Sequence, residues 1–251
     1  MESKQGCCAS DHPQRLARRG WLKAGTLAGV ATLAAAMGWE VDLAEAAALT
    51  QAQRDAMTPD QIIAMMMHGN ERFRSGKMKS QDYRAQKRAS ASGQYPAAVI
   101  LGCIDSRVPA EIILDMGIGD TFNARVAGNV ANQDILGSLE FSCAVSGAKV
   151  ILVMGHTACG AIKGAIDNVE LGNLTGLLDT IKPAIAATTY SGDRSSKNAA
   201  FVDAVARSNV RHTIDAIRNG SSILAGLEQE RKIKIVGSMY DITNGEVTLL
   251  E

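Results

Sequence analysis

From residue 47 onward the hydrophobic pattern alternates between short unbroken apolar runs and stretches with helical spacing. The unbroken runs at 97–102 and 149–154 predict buried strands, because a strand with one wet face would alternate polar and apolar residues. Further strands are predicted at 121–126 and 233–239, and Thr243-Asn244-Gly245 predicts a turn into 246–250. Helices are predicted between them. One runs over 109–116, begun by Pro109 and stopped by Gly117 and Gly119. Another covers 134–146, with Leu136, Leu139, Glu140 and Cys143 roughly a turn apart, and others cover 161–169, 199–218 and 222–229. Ahead of the first strand, Thr58-Pro59-Asp60-Gln61 spells a helix start, with Thr as N-cap, Pro in the first turn and Gln closing a capping box. Ile62, Met66 and Phe73 follow at helical spacing, and Met65-Met66-Met67 reads as core filler. The polar segment 80–94, punctuated by Gly and Ser, predicts a loop or arm. Strands alternating with helices predict an α/β fold, a mostly parallel β-sheet flanked by helices.

The first 46 residues obey a different pattern. Lys4, Arg15, Arg18, Arg19 and Lys23 outnumber Glu2 and Asp11, and a Gly- and Ala-rich apolar run then extends from 24 to 37. That run fits the roughly 7–15 residues of a signal-peptide core and lacks the polar face of a surface helix. Ala44-Glu45-Ala46 and Ala46-Ala47-Ala48 are small-residue triplets suited to cleavage. Arg18-Arg19 with Trp21-Leu22-Lys23 resembles a twin-arginine export signal, with Ala17 and Trp21 in place of the usual Ser/Thr and Phe. Residues 1–46 are therefore expected to be a leader for the twin-arginine export machinery and 47–251 the folded domain. The protein is expected to be periplasmic or otherwise exported from a bacterium. Cys7 and Cys8 leave with the leader, and Cys103, Cys143 and Cys159 remain.

Composition adds exclusions. With 46% hydrophobic and 21% charged residues, the 251-residue chain can bury a core and is not disordered. Lys plus Arg equals Asp plus Glu at 26 each, which argues against a nucleic-acid partner. No apolar run reaches the roughly 18–20 residues of a stable membrane span. Five cysteines are an odd number and too few for a disulfide scaffold of this size.

Two chemically loaded segments directly follow two predicted strands: Cys103-Ile-Asp105-Ser-Arg107 and His156-Thr-Ala-Cys159. Ligands of open α/β sheets collect beyond the carboxyl ends of strands, so both segments point to one crevice. Two Cys, one His and a carboxylate form a donor set suited to tetrahedral zinc. His156 and Cys159 are one turn of chain apart, and Cys103 and Asp105 fall on one side of an extended segment. A nucleophilic or redox Cys–His pair is the rival reading, but it explains neither the second Cys nor Asp105-Ser-Arg107. Arg107 can grip Asp105 in a bidentate pair and keep it ionised and off the metal. An Asp able to choose between Arg and zinc would be a switch. Cys143, spaced with Leu136 and Leu139, reads as a core residue.

Taken together, Cys103-Ile-Asp105-Ser106-Arg107-Val108-Pro109 and Gly155-His156-Thr157-Ala158-Cys159-Gly160 resemble the β-class carbonic anhydrases. Gly69-Asn70-Glu71-Arg72-Phe73, Arg125-Val126-Ala127-Gly128-Asn129 and Gly237-Ser238-Met239-Tyr240-Asp241 extend the likeness along the chain. The resemblance implies a Zn2+ enzyme that interconverts CO2 and bicarbonate through a zinc-bound hydroxide. Cys103, His156 and Cys159 would bind zinc. Asp105 would accept a hydrogen bond from the hydroxide while paired with Arg107, and would ligate the metal only in a closed state. Gln94 would orient substrate from the neighbouring subunit of a homodimer or higher homo-oligomer. The Gly160 N–H would donate to the bound carboxylate, and Phe122, Ala127 and Phe141 would line the CO2 pocket. The family more commonly has Val and Tyr at the last two positions.

Zinc bearing two thiolates loses its formal charge, so its water should ionise less readily than on three neutral His ligands, and activity should rise with pH. Two alternatives remain open on sequence alone. One is a related hydrolase of carbonyl sulfide or carbon disulfide using the same ligands. The other is a non-catalytic zinc protein whose site Asp105 keeps closed.

Overall fold

A computed structural model describes residues 48–250. The leader expected at 1–46 lies outside the described residues. Three helices come first: α1 (Gln51–Ala56), α2 (Pro59–Arg74) and α3 (Tyr83–Ser90). The expected capping box at Thr58 is present. Its hydroxyl accepts from the Gln61 N–H, and the Gln61 side chain accepts from the Thr58 N–H at 2.8 Å. Segment 80–94 is not wholly a loop, because α3 forms within it. Asp82 caps α3 by accepting from the Arg84 and Ala85 N–H groups. Buried Gln86 then ties the helix down by accepting from the Ile118 N–H at 2.9 Å.

The sheet has five strands in the order β2-β1-β3-β4-β5. They are β1 (Ala98–Gly102), β2 (Thr121–Arg125), β3 (Val150–His156), β4 (Lys234–Tyr240) and β5 (Val247–Leu250). β1 pairs with β2 and β3, and β3 with β4, all in parallel, while β5 adds an antiparallel edge. β1 and β3 are buried along their whole length, as their unbroken apolar sequences demand. Alternate residues serve two cores. Val99, Leu101, Ile151 and Val153 face one, and Ala98, Ile100, Leu152 and Met154 face the other.

The second core is covered by α2 and by α4 (Ala110–Ile113), with Met66 fully buried as core filler. The first is covered by α5 (Gln133–Glu140), α6 (Gly160–Ile166), α7 (Gly172–Asp179), α8 (Lys182–Ala187), α9 (Ala199–Gly220) and α10 (Ser222–Gln229). The helix expected over 134–146 is α5 followed by a π-turn at Phe141–Val145, and the helix at 109–116 is shorter than expected. Among the described residues no helix is long and apolar enough to cross a membrane.

Candidate metal centre

Cys103 follows the last residue of β1, and His156 ends β3 at its carboxyl end. Cys159 is the N-cap of α6, so its sulfur sits at the partially positive end of that helix, which favours a thiolate. The parallel register pairs Gly102 with Met154, so the two strand ends open side by side. The three ligand atoms lie within 4.8 Å of one another, and all three residues are buried.

These residues fit zinc. The Cys103 and Cys159 sulfurs are 4.0 Å apart, close to the roughly 3.8 Å edge of a tetrahedron with Zn–S bonds near 2.3 Å. His156 Nδ1 is 2.9 Å from the Thr157 carbonyl, which assigns the ring proton there and leaves the Nε2 lone pair free. That Nε2 is buried without a hydrogen-bond partner, as a metal-facing nitrogen should be. The two sulfurs shift each other in opposite directions. The Cys159 thiol, acting against burial, lowers Cys103 below the ordinary thiol value, while the neighbouring Cys103 sulfur and burial push Cys159 up.

Asp105 stands at the rim. Arg107 holds it from three sides: its backbone N–H donates to Oδ1 at 2.9 Å, Nε to Oδ1 at 2.9 Å and Nη2 to Oδ2 at 2.7 Å. The Arg107 side chain keeps the Asp105 carboxyl well below the usual carboxylate range. Arg125 braces the same loop by donating to the Cys103 carbonyl at 2.8 Å and the Asp105 carbonyl at 2.5 Å. A pocket of about 380 Å³ opens beside this group, lined by Cys103, Asp105, Ala127, Gly160, Val169 and Leu174 among others.

Ala127 and Gly160 both line this pocket. The remaining expected pocket residues do not join them within one chain. Phe122 and Phe141 pack edge to face with ring centres 6.1 Å apart and line a separate groove, and exposed Gln94 lies on the segment leading into β1. Two further residues brace the site: Asp203 Oδ1 accepts from the Ala158 N–H between His156 and Cys159, and Asn209 Nδ2 donates to the carbonyl of Gly128, whose N–H faces Cys103 Sγ. No local motif marks either one.

An α/β sheet with a Cys2His metal group at its strand ends defines a zinc-enzyme type of site. A family model described as carbonic anhydrase matches residues 98–247. Carbonic anhydrase 2 of Mycobacterium tuberculosis is 35% identical over 186 residues, covering 73% of this chain and 89% of that protein. The carbonic anhydrase of Mycolicibacterium smegmatis is 33% identical over 183 residues, covering 72% and 88%. Among solved structures, a tetrameric β-carbonic anhydrase of Sordaria macrospora superposes with a TM-score of 0.56 at 27% identity, covering 64% of this chain and 83% of that one. The β-carbonic anhydrase CafA of Aspergillus fumigatus gives 0.58 at 27%, covering 65% and 79%. The chain belongs to the carbonic anhydrase family, in its β class.

Proposed function

We propose that the protein catalyses the reversible hydration of CO2 to bicarbonate and a proton with zinc held by Cys103, His156 and Cys159. The observation that carries this reading is the juxtaposition of that trio with the Asp105–Arg107 pair at one pocket. Zinc supplies Lewis acidity, making hydroxide available from water near neutral pH. The chain supplies the rest. Arg107 keeps Asp105 ionised, so its Oδ2 can accept a hydrogen bond from a hydroxyl and orient that group toward the pocket. Ala127, Val169, Leu174 and Leu178 give uncharged CO2 an apolar seat beside the metal group. The Gly160 N–H, at the start of α6, is placed to donate to the developing carboxylate.

The reading extends to assembly. Gln94, Phe122 and Phe141 are supplied to this pocket by a second copy of the chain, so the working unit is a homodimer or a multiple of it. Their separation from the pocket within one chain supports this, and the Sordaria relative is tetrameric. It also extends to location. The charge, apolar run and small-residue triplets of residues 1–46 support export through the twin-arginine route to the periplasm.

Stopped-flow CO2 hydration at pH 7.0 and 8.5, with zinc measured on the same sample, tests the activity. About one zinc per chain, with turnover higher at pH 8.5 and abolished by Cys159→Ser, is the expected result. Zinc without turnover at either pH would overturn the enzymatic reading. Changing Arg18 and Arg19 to Lys should block export of a reporter fused behind residues 1–46, and undiminished export would overturn the twin-arginine assignment.

A further inference from the structure

The loop that carries His156 and Cys159, and the 127–129 loop whose Gly128 N–H faces Cys103, run through backbone that most side chains disfavour. Ala158, between His156 and Cys159, has φ 55°, and Asn129 has φ 46° beside Gly128 at φ 69°. A residue with a Cβ is strained there and persists only where its surroundings hold it.

Both loops are held from one helix. On α9, Asp203 Oδ1 accepts from the Ala158 N–H at 3.1 Å, and Asn209 Nδ2 donates to the Gly128 carbonyl at 2.8 Å. The Gly128 N–H in turn points at Cys103 Sγ, 3.4 Å away. Asp203 and Asn209 lie on one i, i+3 ridge with Ala206 between them. The helix comes this close because strands β3 and β4 present glycines to it. A Cβ on Gly155 would fall 2.7 Å from Val210 Cγ2, and one on Gly237 would fall 2.8 Å from Val210 Cγ1.

Asn209 is fully buried, yet its Oδ1 has no hydrogen-bond partner. A half-satisfied buried amide costs stability that an apolar residue of similar size would not, so what its other end holds must account for it.

We propose that Asp203 and Asn209 are positioning residues that make α9 a strut for the metal centre. They fix the loop of His156 and Cys159, and the 127–129 loop that faces the Cys103 sulfur, at one separation, and so set how tightly the three ligands hold their ion. This inference rests on the zinc reading of the site. A role in folding alone predicts something different: a less stable metal-free chain that, once folded, keeps zinc as the parent does.

The test uses the full-length zinc protein. Zinc loss to a chromophoric chelator, the sulfur-to-metal absorption band after cobalt replacement, and melting of the metal-free chain are measured together. Asp203→Ala and Asn209→Leu remove one clamp each, and Asp203→Asn keeps the acceptor. Val205→Ala thins the same helix at a fully buried position and leaves both clamps in place. Loss of such supporting hydrogen bonds typically weakens metal binding about 10–100-fold. Zinc loss at least about fivefold faster in Asp203→Ala and Asn209→Leu, with a shifted cobalt band, is expected. Asp203→Asn and Val205→Ala should stay below that mark. Smaller changes in the first two, or an equal acceleration in Val205→Ala, would overturn the strut. If Asn209→Leu does not fold, the contrast between Asp203→Ala and Asp203→Asn decides alone. Zinc content of the parent tells the two failures apart: a parent that binds zinc beside unaffected variants overturns the strut alone, and a parent that takes up no zinc overturns the zinc reading with it.

Discussion

Arg107 grips Asp105 at two points, Nε to Oδ1 at 2.9 Å and Nη2 to Oδ2 at 2.7 Å, while that same Oδ2 stands 3.9 Å from His156 Nε2. The carboxylate is thus within a small rotation of the metal-binding group and is kept from it by a planar fork. Lysine offers a point charge and no fork, so it cannot reproduce the hold. Arg107→Ala should therefore retain zinc while turnover falls by about a hundredfold, a loss typical of removing a preorganised polar contact. Arg107→Lys should recover only part of it. Metal analysis alongside steady-state rates checks this, and zinc lost in parallel with activity would contradict it. The pH sign is also fixed. Arg107 depresses the folded-state pKa of Asp105, so the charged pair persists above the ordinary carboxylate range and is lost only as pH falls below it. A rise in turnover between pH 7.0 and 8.5 cannot be a titration of Asp105.

Gln94 gives a test of assembly that a molecular-mass measurement does not. If it serves the pocket of a second copy, a Gln94→Ala chain still offers an intact metal centre, and a Cys159→Ser chain still offers an intact Gln94. Mixed dimers of the two then contain one complete site. Refolding the two inactive or impaired variants together should restore turnover above that of either alone. No gain on mixing, with mixed dimers verified by mass spectrometry, would place Gln94 within its own chain's site or outside the mechanism.

Cys143 is 6% exposed in the core that also holds Cys103 and Cys159. Burial pushes its thiol up from 9.0 to about 12, so it stays protonated at neutral pH. Alkylation at pH 8 should leave Cys143 unmodified in the native zinc protein and label it after unfolding, as peptide mass spectrometry can read. The raised folded-state pKa also favours folding below the unfolded value. That contribution is full below pH 9 and is lost as pH climbs toward 12. A Cys143→Ala variant should lack that part of the alkaline loss.

The parts legible in the sequence are those where one physical signal dominates. Uninterrupted apolar runs marked β1 and β3, and both loaded segments sit at their carboxyl ends, so the metal trio could be read before any geometry was known. The helix α3 was hidden because its residues are mostly polar, and it is fixed by the Asp82 cap and by Gln86 reaching Ile118, 32 residues away. The short helices α7 and α8 gave too few turns for a period to show. Asp203 and Asn209 were illegible for a different reason. Their partners Ala158 and Gly128 lie 45 and 81 residues distant, and a hydrogen bond to a main-chain group leaves no mark on the partner's identity. Phe122 and Phe141 were legible only through resemblance, and one chain alone does not bring them to the pocket.

Gly69 is the point where helix α2 touches the chain leaving α4 with no clearance. A Cβ there would lie 1.8 Å from the Leu114 carbonyl oxygen and 2.7 Å from its carbon, both main-chain atoms. The neighbouring backbone has little freedom to retreat. Asp115 sits at φ 49° and is pinned by Arg72 at 2.6 Å and by the Lys79 N–H at 3.1 Å. Asn70 closes the same junction by donating to the Ile113 carbonyl at 3.1 Å and the Gly245 carbonyl at 2.9 Å, and by accepting from the Val247 N–H at 2.9 Å. Gly69→Ala should therefore destabilise the fold by about 3 kcal/mol, the upper part of the range for overpacking a tight contact. Gly226 in α10 is the opposite case, since a Cβ there meets nothing within 4 Å. Gly226→Ala should stabilise by about 0.5–1 kcal/mol through helix propensity and the reduced freedom of the unfolded chain. Denaturant titration of the two variants beside the parent reads both signs. A Gly69→Ala chain as stable as the parent would show that α2 can lift from Leu114, and that this junction does not anchor the first helices to the sheet.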